Sequence, residues 1–154
     1  MALIHKAVAV MLKNDIDQWD DSYPSREIFA ADIAAKTLFK ITSGKEIAGI
    51  IVLNENQAPE YSAITWQDNK GRPLVVHRLC LLPAFQGKGL ARKLMRFAEE
   101  YALKNKFSSI RLDTYSKNFI ALNLYDSLQY RRTGDVSFRA GKTFHCFEKL
   151  LNDG

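Results

Sequence analysis

A short segment rich in small residues, QGKGLA at positions 86–91, lies between an apolar stretch and an amphipathic one. Gly87 and Gly89 have no Cβ atom, so the backbone there can approach a ligand closely. The amphipathic stretch predicts a helix, and the first N–H groups of a helix favour an anion. Lys88 and Lys93 add positive charge at the same place. The segment is therefore predicted to bind a phosphate group, and the alternative is a plain connector between a strand and a helix.

The spacing within this segment excludes two common phosphate-binding motifs. A P-loop needs GxxxxGK followed by Ser or Thr, and a dinucleotide fold needs GxGxxG; neither is present. The segment instead resembles the pyrophosphate loop of the GNAT superfamily of N-acetyltransferases, Gln/Arg-x-x-Gly-x-Gly/Ala. Its positions are filled here by Gln86, Gly89 and Ala91.

A second motif lies downstream, where Asn118, Ala121 and Tyr125 match the Asn-x-x-Ala-x-x-x-Tyr segment of GNAT enzymes. The resemblance implies a single α/β (α+β) domain over residues 1–154. Its central sheet would be mixed and mostly antiparallel, with a splayed pair of parallel strands and about four flanking helices. The resemblance also implies transfer of an acetyl group from acetyl-CoA to a primary amine by direct attack, with no metal and no covalent intermediate.

The resemblance assigns the contacts with acetyl-CoA mainly to backbone atoms. In GNAT proteins the central strand pairs with the pantetheine arm, and the amide of Leu81 would be the donor to the oxyanion. Cys80 therefore need not take part through its thiol. Asn118 would bind the pantetheine or pyrophosphate arm, or it would simply cap a helix. The residues implied for cofactor binding are Leu79, Cys80, Leu81, Gln86, Gly87, Lys88, Gly89, Leu90, Ala91 and Asn118.

Amide formation needs a base, because an alkyl ammonium with a pKa near 10.4 is protonated at neutral pH. Asp113 matches a position where a carboxylate is the base in some GNAT enzymes, and His77 is its rival because histidine titrates near neutral pH. Structural alternatives are a hydrogen-bonded strand histidine and an ion pair of Asp113 with Arg111. Tyr125 matches the family's general acid, which protonates the departing thiolate; the alternative is an ordinary core tyrosine.

The N-terminal region departs from the family pattern. Residues 2–14 have apolar residues at helical spacing, whereas GNAT domains usually begin with a strand before this helix. We therefore expect one sheet edge to be open or covered by a partner, which predicts a homodimer. Trp19 and Tyr23 follow in a polar segment. They are either contacts with the acceptor substrate, as in the corresponding GNAT loop, or core anchors.

Composition narrows the classes of function. The chain has a net charge of +5 but no basic run, zinc pattern or RNP-like motif, so nucleic acid is not an expected partner. No apolar stretch is long enough to span a membrane and no signal peptide is visible, which predicts a cytoplasmic protein without membrane contact. Cys80 and Cys146 lack metal-site spacing and are expected to be buried free thiols. The acceptor stays open, and the alternative function is a CoA-binding sensor or regulatory module.

Periodicity places these residues on predicted elements. Residues 74–82 are predicted to form a central apolar strand, and residues 89–105 a helix. Residues 109–115 are predicted to form a strand parallel to the central one, because a helical crossover joins the two, and a short helix opens at Asn118. The remaining predictions are a helix over residues 25–36, a loop over residues 54–72, and two hairpins, 37–42 with 46–53 and 130–138 with 143–151.

Overall fold

The computed structural model describes residues 26–138 and 141–151. The predicted helix over residues 2–14, the aromatic residues Trp19 and Tyr23, and the predicted start of a helix at Ser25 lie outside the described residues. Within the described ranges, the α-helices and β-strands are α1 (Arg26–Ala34), β1 (Leu38–Ser43), β2 (Glu46–Asn54), β3 (Pro73–Leu81), α2 (Leu90–Lys104), β4 (Ser109–Tyr115), α3 (Phe119–Ser127), β5 (Arg131–Phe138) and β6 (Lys142–Leu150).

The strands form one mixed sheet in the order β1-β2-β3-β4-β6-β5. β3 and β4 are parallel, whereas β2 is antiparallel to β1, and β6 is antiparallel to both β4 and β5. The predicted fold class, a mixed and mostly antiparallel sheet with one parallel pair, is confirmed. The interior position of β3 in the sheet is confirmed as well. Its apolar sequence suits a strand whose two faces are both covered.

The chain divides into two compact units. The first unit consists of the described residues up to Asn54 together with Val76–Ala98, and the second consists of Glu55–Val75 together with the described residues from Glu99 onward. β3 and α2 each contribute residues to both units.

In the first unit, β1 and β2 form a hairpin whose turn contains Gly44 at φ 61°, a value that glycine adopts without strain. β2 is buried from Ala48 to Leu53, so both of its faces are covered. On α2 the residues of this unit with buried side chains include Leu94 and Met95. The buried stripe of this helix therefore includes Met95.

In the second unit, β4 is the most buried strand. Pro73–Val75 of β3 pair with Ser109–Arg111 on one edge of β4, and β6 pairs along its whole length on the other edge. Every position of β4 is buried except Asp113, which is half-buried. The predicted and observed bounds of β4 agree, because the apolar run in the sequence and the pairing with β6 cover the same residues.

Two local features differ from the sequence predictions. The segment over residues 54–72, predicted as a loop, contains a short 3-10 helix, Pro59–Ala63. On α1 the polar Asp32 is buried and the apolar Ile33 is exposed. The sequence pattern predicts the reverse, and the reason is the ion pair of Asp32 described below.

Replacing Gly49 by alanine is expected to destabilise the first unit. A Cβ atom at this position of β2 would lie 2.7 Å from the carbonyl oxygen of Cys80 and 2.4 Å from Cδ2 of Leu81. The carbonyl belongs to the backbone and cannot rotate away. We expect Gly49→Ala to lower the free energy of unfolding by about 1–3 kcal/mol, measured by urea denaturation. Lys40→Ala, at an exposed position of β1, is the control, and equal losses in the two variants would contradict the argument.

Candidate active site

The predicted phosphate-binding segment begins directly after β3. Leu81 ends the strand, a single 3-10 turn follows at Pro83–Phe85, and α2 starts at Leu90. Gly87 and Gly89 have φ values of 75° and 78°, which L side chains rarely adopt, and a Cβ on either glycine would meet open space. The glycines are therefore needed for their backbone conformation and for the access that they leave open to the backbone.

The open backbone of this segment suits the binding of an anion. The first N–H groups of a helix have no acceptor within the helix, so they favour an anion at the start of α2. Gln86 closes the turn on its other side, where its Nε2 donates to Leu81 O at 3.4 Å. Lys88 lies on the segment itself, with Nζ 5.7 Å from the centre of the Phe85 ring. Backbone donors and a flexible cation are the groups that a diphosphate needs.

The backbone of β3 is kinked just before the residues assigned to the pantetheine arm. Arg78 has φ 50°, a left-handed value that is unusual for a residue with a side chain. Its guanidinium holds both carboxylate oxygens of Asp32 on α1, at 2.8 Å each, and the two side chains are only 11% and 10% exposed. A buried bidentate pair of this kind fixes the kink, since the arginine fork matches a carboxylate in one geometry.

His77 and Cys80 lie on either side of this kink. His77 Nε2 lies 2.7 Å from Oδ1 of Asn54, and because that oxygen can only accept, Nε2 carries the proton. Burial raises the pKa of the Cys80 thiol to about 12, so it is not a thiolate at neutral pH. Cys80 and Cys146 are both buried free thiols, as predicted.

The other predicted catalytic residues lie in the second unit, where Asp113 has a partner that the sequence analysis missed. The hydroxyl of Tyr61 donates to Asp113 Oδ2 at 2.5 Å. Burial raises the pKa of Asp113, the Tyr61 hydrogen bond opposes that rise, and the charge of Glu60 adds to it. Arg111 pairs instead with Glu148, at 3.8 Å. Asp113 is thus held by a neutral phenol.

Tyr125 is buried in the same unit and packs among aromatic rings. Its ring lies 5.9 Å from that of Tyr130 and 5.8 Å from that of Phe147, centre to centre. Burial raises the pKa of Tyr125, and the negative charge of Asp113 raises it further. The phenol therefore keeps its proton at neutral pH, which is the state that a general acid needs.

Asn118 caps α3, because its side-chain oxygen accepts from Ala121 N at 3.2 Å. The capping role that the sequence analysis gave as an alternative is therefore present. The cap uses one lone pair of the side-chain oxygen.

Tyr61 is positioned by the segment over residues 54–72, which is predicted from the sequence only as a loop. The ring of Trp66 lies 5.1 Å from that of Tyr61, and its Nε1 donates to Tyr61 O at 3.0 Å. Tyr61 is 3% exposed. The available signal was a pair of aromatic residues following Pro59 in an otherwise polar segment, which predicts burial but not a partner.

The predicted site residues fall into two groups. One group, in the first unit, consists of His77, Leu79, Cys80, Leu81, Gln86, Gly87, Lys88, Gly89, Leu90 and Ala91. The other group, in the second unit, consists of Asp113, Asn118 and Tyr125, to which the structure adds Tyr61.

Residues 7–130 of the chain match the model of the acetyltransferase (GNAT) family. The chain belongs to the GNAT acetyltransferase family. The match includes both the segment around Gly89 and the segment around Tyr125, on which the resemblance was based. The family prediction is confirmed.

Curated GNAT relatives are similar to parts of the chain. The streptothricin acetyltransferase of Escherichia coli is 32% identical over 119 residues, which are 71% of this chain and 61% of that protein. The N-acetylaspartate synthetase of Danio rerio is 37% identical over 61 residues, which are 40% of this chain and 22% of that protein. The chain therefore spans less than two thirds of the length of these relatives.

Solved GNAT structures share the fold over nearly the whole chain. An acetyltransferase of the GNAT family from Streptococcus agalactiae has a TM-score of 0.86 and 27% identity, with 99% of this chain and 88% of that chain covered. YncA of Salmonella typhimurium, solved with its cofactor acetyl-CoA, has a TM-score of 0.70 and 15% identity, with 99% and 89% covered. The second likeness concerns the fold alone.

In residues 26–138 and 141–151, no group of three or more His, Cys, Asp or Glu side chains is placed to hold a metal ion. None of the helices in the same ranges is long and apolar enough to cross a membrane.

The role of Gly89 can be separated from simple backbone strain. Gly89→Ala is expected to cost about 1 kcal/mol of stability, because alanine is strained at φ 78°, and to weaken acetyl-CoA binding at least about tenfold. Gly44→Ala is the matched control, since Gly44 also has a left-handed φ and open space at its Cβ but lies in the β1–β2 turn. Calorimetric titration with acetyl-CoA measures both affinities. Equal affinities in the two variants would contradict a role for Gly89 in binding.

Proposed function

We propose that the protein is an N-acetyltransferase that transfers the acetyl group of acetyl-CoA to a primary amine by direct attack. The observation that supports this most strongly is the segment after β3, where two left-handed glycines leave the backbone open at the start of α2. An anion site of that form on a GNAT chain suits the diphosphate of CoA. The residues that would hold acetyl-CoA are those predicted from the sequence, namely Leu79, Cys80, Leu81, Gln86, Gly87, Lys88, Gly89, Leu90, Ala91 and Asn118.

The thioester of acetyl-CoA supplies the acetyl group, and the protein supplies polarisation and proton transfer. The N–H of Leu81 stabilises the negative charge that develops on the carbonyl oxygen. Asp113 accepts a proton from the ammonium group of the acceptor, directly or through water, so that the neutral amine can attack the thioester carbon. Tyr125 donates its proton to the departing sulfur. Its burial among rings supports this role, because the environment keeps the phenol neutral until the transfer.

Asp113 is a better candidate for the base than His77. Burial raises the pKa of Asp113 towards the working range of a base, and Asp113 lies in the same unit as Tyr125, whereas His77 belongs to the other unit. The negative charge of Asp113 raises the pKa of Tyr125, and this coupling supports the proposal that the two residues act as proton acceptor and proton donor.

The acceptor is proposed as an amine because the relatives are named for acetylation of streptothricin, for N-acetylaspartate and, in Bos taurus, for the ε-nitrogen of thialysine. Trp19 and Tyr23 stay predictions for its binding. A cytoplasmic location and a homodimer stay predictions as well, and size-exclusion chromatography tests the dimer.

Tyr125→Phe is expected to lower kcat by about 100-fold or more, because the departing thiolate then lacks its proton donor. The affinity for acetyl-CoA should stay within about twofold, since the phenyl ring keeps the packing with Phe147. Release of free thiol from acetyl-CoA, measured against a panel of polyamines, amino acids and peptides, gives kcat.

Tyr130→Phe is the matched control for the Tyr125 variant. Its hydroxyl is also buried in the second unit, and it has no hydrogen-bond partner in the described part of the chain. Equal kcat values for the two variants would contradict the assignment of Tyr125. Binding of acetyl-CoA without turnover of any amine would favour a CoA-binding module instead.

A further inference from the structure

We infer that Tyr61 is a positioning residue for the reaction, which orients the carboxylate of Asp113 and favours its deprotonated form. The inference rests on the proposed acetyl transfer for its link to catalysis. The hydrogen bond itself is a property of the second unit, where the Tyr61 hydroxyl lies 2.5 Å from Asp113 Oδ2.

Burial and contacts with Trp66 fix the position of the Tyr61 side chain. Its side chain is 3% exposed, its ring packs on Trp66, and its carbonyl oxygen accepts from Trp66 Nε1. The Tyr61 hydroxyl is therefore held within hydrogen-bonding distance of one carboxylate oxygen of Asp113. A phenol that donates to a carboxylate holds it in one orientation and stabilises its negative charge.

Tyr61 itself does not suit proton transfer. Burial raises its pKa well above the ordinary value, and the charge of Asp113 raises it further. The phenol therefore stays protonated and is a permanent donor. Oδ1 of Asp113 is the oxygen that the Tyr61 bond leaves for an incoming proton. One carboxylate oxygen therefore orients the group, and the other can accept the proton from the substrate.

The other groups around Asp113 either raise its pKa or carry no charge at neutral pH. Glu60, next to Tyr61, raises the pKa of Asp113 by its charge. Cys146 faces Asp113 across the β4–β6 pairing, and burial raises the pKa of its thiol to about 12, so it adds no charge at neutral pH. Tyr125 is neutral for the same reason. Tyr61 is therefore the group in the described surroundings that offsets the burial of Asp113.

The test is Tyr61→Phe, which removes only the hydroxyl oxygen and keeps the ring and the carbonyl that bind Trp66. Since the hydrogen bond lowers the pKa of Asp113, its loss is expected to raise that pKa by about one unit, the size of one hydrogen bond to a charged group. The first readout is carbon-13 NMR titration of carboxyl groups in the free protein, with Asp113→Asn to assign the signal.

The second readout is the pH profile of kcat/KM. A base works only when deprotonated, so a raised pKa moves the acidic limb of the profile to higher pH by the same amount as the NMR titration. Tyr130→Phe is the matched control, because it removes a buried hydroxyl that has no partner in the described residues, and it should leave both readouts unchanged.

The outcomes separate this inference from the proposed function. A parallel shift in both readouts supports both. An unchanged Asp113 titration in Tyr61→Phe, or a titration that moves while the acidic limb of an active enzyme stays in place, would overturn the positioning role. A protein that turns over no amine but whose Asp113 titration still moves would overturn the acetyl transfer and support the link between Tyr61 and Asp113.

Discussion

The buried carboxylate of Glu148 determines the conformation of the longest connecting segment in the second unit. Glu148 is 1% exposed and accepts from the backbone N–H groups of Gln67 and Asp68 at 2.7 and 3.1 Å, and it pairs with the buried Arg111. Desolvation offsets most of the attraction in such a pair, whereas loss of one partner leaves an unpaired buried charge at a cost of about 3–5 kcal/mol. The pair therefore selects one conformation of the segment more than it adds net stability.

From that anchor a series of contacts leads to the candidate base. The guanidinium of Arg111 lies 4.4 Å from the centre of the Trp66 ring, and Trp66 in turn holds Tyr61 by its ring and by its N–H. Tyr61 then donates to Asp113. The first contact pairs a desolvated cation with an aromatic face, and the last gives a carboxylate a neutral donor. Asp113 is thus linked to the ion pair of Glu148 through Trp66 and Tyr61, so the conformation of the segment and the orientation of the candidate base depend on the same contacts.

Local signals were sufficient to predict most elements and the glycine turn between β3 and α2. The strand β4 follows from its apolar pattern, and the turn at Gly87 and Gly89 follows from the backbone freedom of glycine. The cap at Asn118 depends on a hydrogen bond to a residue three positions away. The hydrogen bond between Tyr61 and Asp113 spans 52 positions of the sequence, and the ion pair of Arg78 with Asp32 spans 46. No regular spacing in the sequence indicates either pair of partners. The left-handed backbone of Arg78 also lies outside any residue preference, because tertiary contacts impose it on a residue that disfavours it.

The same difference explains why the cofactor class is more evident in the sequence than the acceptor. The proposed recognition of CoA uses the backbone of one continuous segment from Leu79 to Ala91. A required backbone conformation is visible in the sequence, because it needs glycine at particular positions. Removal of the acceptor proton depends on side chains whose orientation comes from distant parts of the chain. Residues around Asp113 can therefore change while the segment after β3 stays intact. A family built in this way can keep one acyl donor and vary its amine, because the two tasks place their demands on different lengths of sequence.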